Sequence, residues 1–74
     1  MLGIIVDMND STKLGMNLKR IREAKQMSQG DVMRGMGCSR SYVSNIENGK
    51  TNPTLETISK LAKVLGVSTT ELLK

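Results

Sequence analysis

Apolar side chains recur along residues 13–74 at intervals of three and four, the period that gives a helix one buried stripe. Leu14, Leu18 and Ile21, with Met27 just beyond, predict a first helix. Ser28-Gln29-Gly30-Asp31 then reads as a capping box, in which the Ser28 hydroxyl accepts from a first-turn amide and Asp31 reaches back. Val32 and Met36 sit one turn apart behind that cap, so a short second helix follows, closed by Gly37. Ser39 caps a third helix with Val43 and Ile46 facing inward, ended by Asn48 and Gly49. Pro53-Thr54 opens a fourth, with Leu55, Ile58, Leu61, Ala62 and Leu65 on one stripe and Gly66 at its C′ position. Ser68 and Glu71 read as another capping box, starting a last turn or two through Leu72 and Leu73. The pattern predicts an all-α domain of five short helices joined by tight turns.

The residues ahead of this run are patterned differently. Ile4-Ile5-Val6 is β-branched, and Asn9-Asp10-Ser11-Thr12 forms a polar break behind it. Residues 1–12 are therefore expected to be an arm, either without fixed structure or a short strand that needs a partner. Residues 13–74 are expected to be the domain. The opening has no basic start and is cut by Asp7, so it does not read as a signal peptide. No stretch nears the ~18 apolar residues of a membrane span.

Composition narrows the chemistry. A chain of 74 residues makes one domain with a thin margin of stability, and local helical packing is one of few ways to fold it without staples. Cys38 is the only cysteine and histidine is absent, so an internal disulfide and a Cys/His zinc site are both excluded. That usage fits a reducing, cytoplasmic compartment. Without histidine there is no Ser-His-Asp or Cys-His arrangement, and no Gly-rich phosphate loop is present. Neither an enzyme nor a cofactor or metal is expected. The net charge of +4, from 11 Lys+Arg against 7 Asp+Glu, fits an anionic partner as well as a plain basic surface.

The third helix sharpens that choice. The turn around Gly37 and Cys38 is short enough to force a large crossing angle between the second and third helices, leaving the third protruding. Val43, Ile46 and Glu47 share one of its faces; Arg40, Ser41, Ser44, Asn45 and Asn48 share the other. The outer face has no carboxylate and no large apolar group. Arginine pairs bidentately with a guanine edge, asparagine with an adenine edge, and serine with several partners. A solvated helix face more often mixes Glu with Lys, and remains the alternative. Glu47 lies on the inward side, where a carboxylate needs a partner. Arg22, next to Ile21 at the edge of the first stripe, is the best candidate, with two unrelated exposed charges as the alternative.

The run from Leu14 to Leu73 resembles the Cro and phage-repressor (xenobiotic-response-element-like) family of helix-turn-helix regulators. The strings that carry the resemblance are LKRIREAKQMSQ, GCSRSYVSNIENGKTNP and LETISKLAKVLGVSTTELL. It implies a compact five-helix, lambda-repressor-like DNA-binding domain. By position it implies base contact from Arg40, Ser41 and Asn45, with Ser44 beside them. It places Gln29 where the family grips a phosphate and braces the recognition helix. Asn48, Lys50, Thr51 and Asn52 fall in the phosphate-contacting segment, with Tyr42 as a further candidate. Arg22 and Glu47 match the family's buried ion pair. Val67, Leu72 and Leu73 match a region that many members use to dimerise.

Some positions depart from the family pattern. Met33 stands where alanine is usual, at the expected closest approach of the second and third helices. Gly30 and Gly35 each weaken the second helix by up to about 1 kcal/mol relative to alanine. Gln26 stands where glycine often ends the first helix. Cys38 reads as a small buried hydrophobe, and Tyr42, the only aromatic, argues against a stacking platform for single strands.

The expectation is therefore a sequence-specific regulator of double-stranded DNA, acting as a repressor by occupying a promoter in the cytoplasm at the nucleoid. It would bind a pseudo-palindromic operator as a homodimer, with half-sites ~34 Å apart. Ile4, Ile5 and Val6 could pair across that homodimer. They also favour the rival reading, a protein-interaction module such as an antitoxin or adaptor, because an unpaired strand invites β-augmentation.

Overall fold

The computed structural model describes the backbone of residues 8–74 and the side chains of residues 10–74. The described residues form α1 (Met8–Ala24), α2 (Gln29–Met36), α3 (Arg40–Glu47), α4 (Leu55–Leu65) and α5 (Thr69–Leu73). The largest difference from expectation is at the start. The polar run at residues 9–12 is no break; it forms opening turns of α1. Short polar side chains disfavour a helix when they compete for its backbone. Here Ser11 is buried, and its hydroxyl donates across the fold to Asn52 Oδ1 instead. Asp10 adds an acidic group to the first turn, where the helix dipole favours it. Ile4, Ile5 and Val6 lie outside the described residues.

The expected caps set most of the turns. The Ser28 hydroxyl accepts from Asp31 N–H at 3.0 Å, and Asp31 Oδ2 accepts from Ser28 N–H at 2.8 Å, completing the capping box of α2. Gly37 closes α2 in the left-handed region at φ +69°, and Ser39 caps α3 by accepting from Tyr42 N–H at 3.1 Å. Thr54 caps α4 in the same way, and Gly66 ends it at φ +71°. Ser68 departs from expectation: its backbone is extended as a cap should be, but its side chain makes no capping bond. Gln26 ends α1 at φ +58°, a conformation glycine would adopt without a Cβ penalty.

Each helix contributes to one core. Leu14, Leu18 and Ile21 of α1, Val32 and Met36 of α2, and Val43 and Ile46 of α3 are buried together. Ile58, Leu61, Ala62 and Leu65 of α4 and Leu72 of α5 complete the cluster. Burial of each large aliphatic side chain stabilises the fold by about 1.5–3 kcal/mol before entropy is counted. α1 packs on α3 and α5, α2 packs on α3 and α4, and α4 packs on α5. Leu55 is a correction: it begins the expected α4 stripe, yet it is 76% exposed. As the first residue of its helix, it lies beyond the layer that the other helices cover.

Two interior glycines allow close approach. A Cβ on Gly35 would stand 2.8 Å from Val64 Cγ1, so the bare glycine lets α2 lie on α4. A Cβ on Gly15 would stand 2.5 Å from the Glu47 carbonyl oxygen and would also strike the Ile46 carbonyl. α1 thus passes backbone-close beneath the last turn of α3.

Candidate nucleic-acid interface

α3 is anchored by one face and offers the other. Val43 and Ile46 are buried, while Arg40, Ser41 and Asn45 are exposed and Ser44 is half-buried. The residues expected to touch bases therefore lie together on the outward side of a helix held firmly from behind. Among the described residues, no ion pair engages Arg40 or Lys50. Tyr42 is half-buried against the core. Cys38 is half-buried too, its thiol donating to the Ser39 carbonyl at 3.5 Å.

A buried ionic junction holds α3 from behind. Arg22 Nε donates to Glu47 Oε2 at 2.6 Å, and Arg22 Nη2 donates to Glu47 Oε1 at 3.1 Å. The two side chains are only 10% and 4% exposed, so this pair is well desolvated. A buried charge pair is tolerable only when its remaining donors and acceptors are also met. Arg22 Nη1 meets the Met27 carbonyl at 2.8 Å, and Gln29 Nε2 donates to Glu47 Oε1 at 3.0 Å. The hydrogen bond to Glu47 raises the Arg22 pKa, with burial opposing it and the charge of Glu47 adding to it. One carboxylate thereby ties together α1, the start of α2 and the end of α3. Gln29, expected to grip phosphate and brace the recognition helix, has its amide on that carboxylate.

The C-terminal end of α3 leads straight into the other expected contact residues. Lys50 N–H donates to the Asn45 carbonyl at 2.9 Å and Gly49 N–H to the Ile46 carbonyl at 3.1 Å, a Schellman closure with Gly49 at φ +70°. Asn48 Nδ2 donates to Ser44 Oγ at 3.4 Å, joining a phosphate candidate to a base candidate. Asn48, Lys50 and Asn52 are exposed and Thr51 is half-buried, so this segment borders the outward face of α3.

Of the expected dimerisation residues that the structure describes, Leu73 and Val67 reach the surface and Leu72 does not. Leu72 is fully buried in the chain's own core, so its side chain is not a contact surface. It is held there partly through its carbonyl, which accepts from Asn17 Nδ2 at 2.8 Å. Leu73 is 47% exposed, and Val67 is half-buried against the core. Beside Leu73 runs a groove of about 350 Å³, lined by Leu14, Pro53, Leu55 and Ile58 among others. The sequence reading missed Leu55 as a surface residue, and it missed Ser11 and Gly15 as supports of α3 and its loop. Gly15 carried a partial signal, because a glycine inside a helical pattern costs about 1 kcal/mol relative to alanine.

The HTH_3 helix-turn-helix family matches residues 18–72. The chain belongs to this family. It is a sequence-specific DNA-binding transcriptional regulator and not an enzyme. An HTH-type transcriptional regulator of Sinorhizobium fredii, y4dJ, is 44% identical over 64 residues, covering 85% of this chain and 83% of that protein. The restriction-modification controller protein C.AhdI of Aeromonas hydrophila superposes with a TM-score of 0.82 at 39% identity, covering 86% of this chain and 97% of that one. The controller protein C.Esp1396I, as a tetramer on its natural 35 base-pair operator, superposes at 0.74 with 30% identity, covering 86% and 95%. The helix-turn-helix regulator thus has the five-helix, lambda-repressor-like fold that the sequence implied. No helix among its described residues is long and apolar enough to cross a membrane.

Proposed function

We propose that this regulator is a repressor that binds a pseudo-palindromic operator as a homodimer, with α3 lying in the major groove. Arg40, Ser41, Ser44 and Asn45 read base edges. Gln29, Tyr42, Asn48, Lys50, Thr51 and Asn52 meet the sugar–phosphate backbone and fix the register. The N-termini of α2 and α4 add amides to that backbone contact. The observation that carries the reading is the division of α3 into a buried face pinned by Arg22–Glu47 and an outward polar face on which Arg40, Ser41 and Asn45 are exposed. The operator-bound tetramer of C.Esp1396I supports an oligomer on DNA for a chain of this fold. The exposed Leu55 and Leu73 around the apolar groove, with Val67, are the surface assigned to the second protomer. Its place of action is the cytoplasm, at the nucleoid.

Selection of bound duplexes from random DNA tests the reading, with two variants as controls. The recovered sites should be symmetric, with half-sites ~34 Å apart. Arg40→Ala should cost about 1–3 kcal/mol on the recovered site and relax preference at one base pair. Lys50→Ala should weaken all duplexes alike and reduce the salt slope. Recovery of no common sequence would overturn the groove assignment, and equal loss on every duplex for Arg40→Ala would move that residue to the phosphates.

A further inference from the structure

The loop after α3 carries the phosphate candidates but has no regular structure of its own. Its position is set by α1, along a single face. Arg22 holds Glu47 at one end of that face, and Gly15 passes beneath the Ile46 and Glu47 carbonyls midway. Thr12 lies against Gly49, where an added Cβ would stand 3.2 Å from Thr12 Cα. Ser11, 6% exposed, completes the face by donating its hydroxyl hydrogen to Asn52 Oδ1.

That last bond has a chemical consequence. An asparagine side chain has one branch that only accepts and one that only donates. Phosphate oxygens accept, so a contact to DNA backbone needs the NH₂ branch. Because Ser11 is the donor to Oδ1, the Asn52 amide is oriented with its NH₂ as the remaining branch. Asn52 is exposed while Ser11 is buried, so the side chain is anchored from inside the fold and displayed outside it.

We infer that Ser11 is a positioning residue for phosphate contact. It anchors the Asn52 side chain and holds residues 48–52 in the register in which Lys50 and Asn52 meet the DNA backbone. The inference rests on the assignment of those residues to phosphate proposed above. It adds a division of labour: base reading is supported through the Arg22–Glu47–Gln29 junction, and the grip on phosphate through the first turns of α1.

The test is a salt series. Binding to the selected operator and to a random duplex is titrated in increasing KCl for the wild type, Ser11→Ala, Ser11→Cys, Lys50→Ala and the Ser11→Ala/Lys50→Ala pair. Thermal melting and amide exchange are read on the same proteins. Ser11→Ala should weaken both duplexes by a similar factor, roughly three- to tenfold, leaving their ratio intact. Its salt slope should fall towards that of Lys50→Ala, by about one unit, with faster exchange at residues 50–52. In the Lys50→Ala background the part of the loss that runs through Lys50 should vanish, leaving the smaller part that runs through Asn52. Ser11→Cys keeps the size and removes the hydroxyl, so it gives the same reading if Ser11→Ala does not fold. Wild-type affinity and slope in the Ser11 variants, beside a reduced slope in Lys50→Ala, overturn the role of Ser11 and leave the phosphate assignment standing. An unchanged slope in Lys50→Ala overturns the phosphate assignment, and the Ser11 inference with it.

Discussion

Gly15 lies directly beneath the carbonyl group of Glu47, at a separation that no larger residue fits. A Cβ at position 15 would stand 2.8 Å from the Glu47 carbonyl carbon and 2.5 Å from its oxygen. The obstacle is backbone, so no rotamer change relieves it. Gly15→Ala should destabilise the domain by about 1–3 kcal/mol, although alanine is the better helix former by about 1 kcal/mol. That is a large share of the margin a domain this small holds. Urea unfolding measures it, and a variant as stable as the wild type would mean that α1 and α3 separate at little cost.

This relationship also marks where the sequence stopped being readable. Caps and stripes are local, so the capping box at Ser28, the cap at Ser39, the opening of α4 at Thr54 and the α3 inner face at Val43 and Ile46 were legible, and the structure has them there. The ion pair was inferable because a carboxylate on an inward face requires a cation, and Arg22 borders the facing stripe. Position 11 was not inferable in the same way. A polar run looks like a helix break until a partner distant in sequence, here Asn52, is known to satisfy it. Leu55 failed for a related reason: periodicity says which residues share a stripe, and only packing says which end of it is covered.

The Arg22–Glu47 pair should matter more for presentation than for net stability. Glu47→Ala leaves a buried guanidinium without its carboxylate and should cost about 3–5 kcal/mol. Replacing both partners with apolar residues, Arg22→Met with Glu47→Leu, should recover most of that loss, because apolar substitutes avoid the desolvation penalty. The double variant still lacks the acceptor that holds Gln29 Nε2 at 3.0 Å. It should therefore fold yet bind the operator less tightly than the wild type. Wild-type affinity in a stable double variant would show that the junction does not position α3.

Gly30 and Gly35 occupy the same short helix but should respond oppositely to alanine. A Cβ on Gly30 meets only Arg34 Nη1 and Ser28 Oγ, each at 3.5 Å, which is ordinary contact. Gly30→Ala should stabilise the domain by about 0.4–1 kcal/mol, by restricting the unfolded chain. A Cβ on Gly35 would press on Val64 Cγ1 at 2.8 Å and Cγ2 at 3.1 Å. The helix-propensity gain there is offset by displacement of α2 from α4, and Gly35→Ala should be destabilising. The pair of melting temperatures checks the contrast, and a rise in both would mean that Val64 turns aside freely.

Asp31 should give the start of the helix-turn-helix unit a sensitivity to acid. The backbone N–H and hydroxyl of Ser28 hold its carboxyl below the usual value of 3.8, with the charge and hydrogen bond of Arg34 adding to the effect. A group that binds its proton more weakly when folded favours the folded state while ionised. Its contribution is therefore fully present above the ordinary carboxylate range. It is lost as the pH falls through the unfolded value towards the lower folded one, because the unfolded chain takes up the proton first. Asp31→Asn keeps an acceptor for the Ser28 amide but removes the charge that suits a helix N-terminus. The variant should be less stable than the wild type near neutral pH, and the gap should narrow steadily as the pH is lowered towards 3. Urea midpoints measured across that interval decide it. A gap independent of pH would show that the capping box works through hydrogen-bond geometry alone, with no contribution from the ionised state.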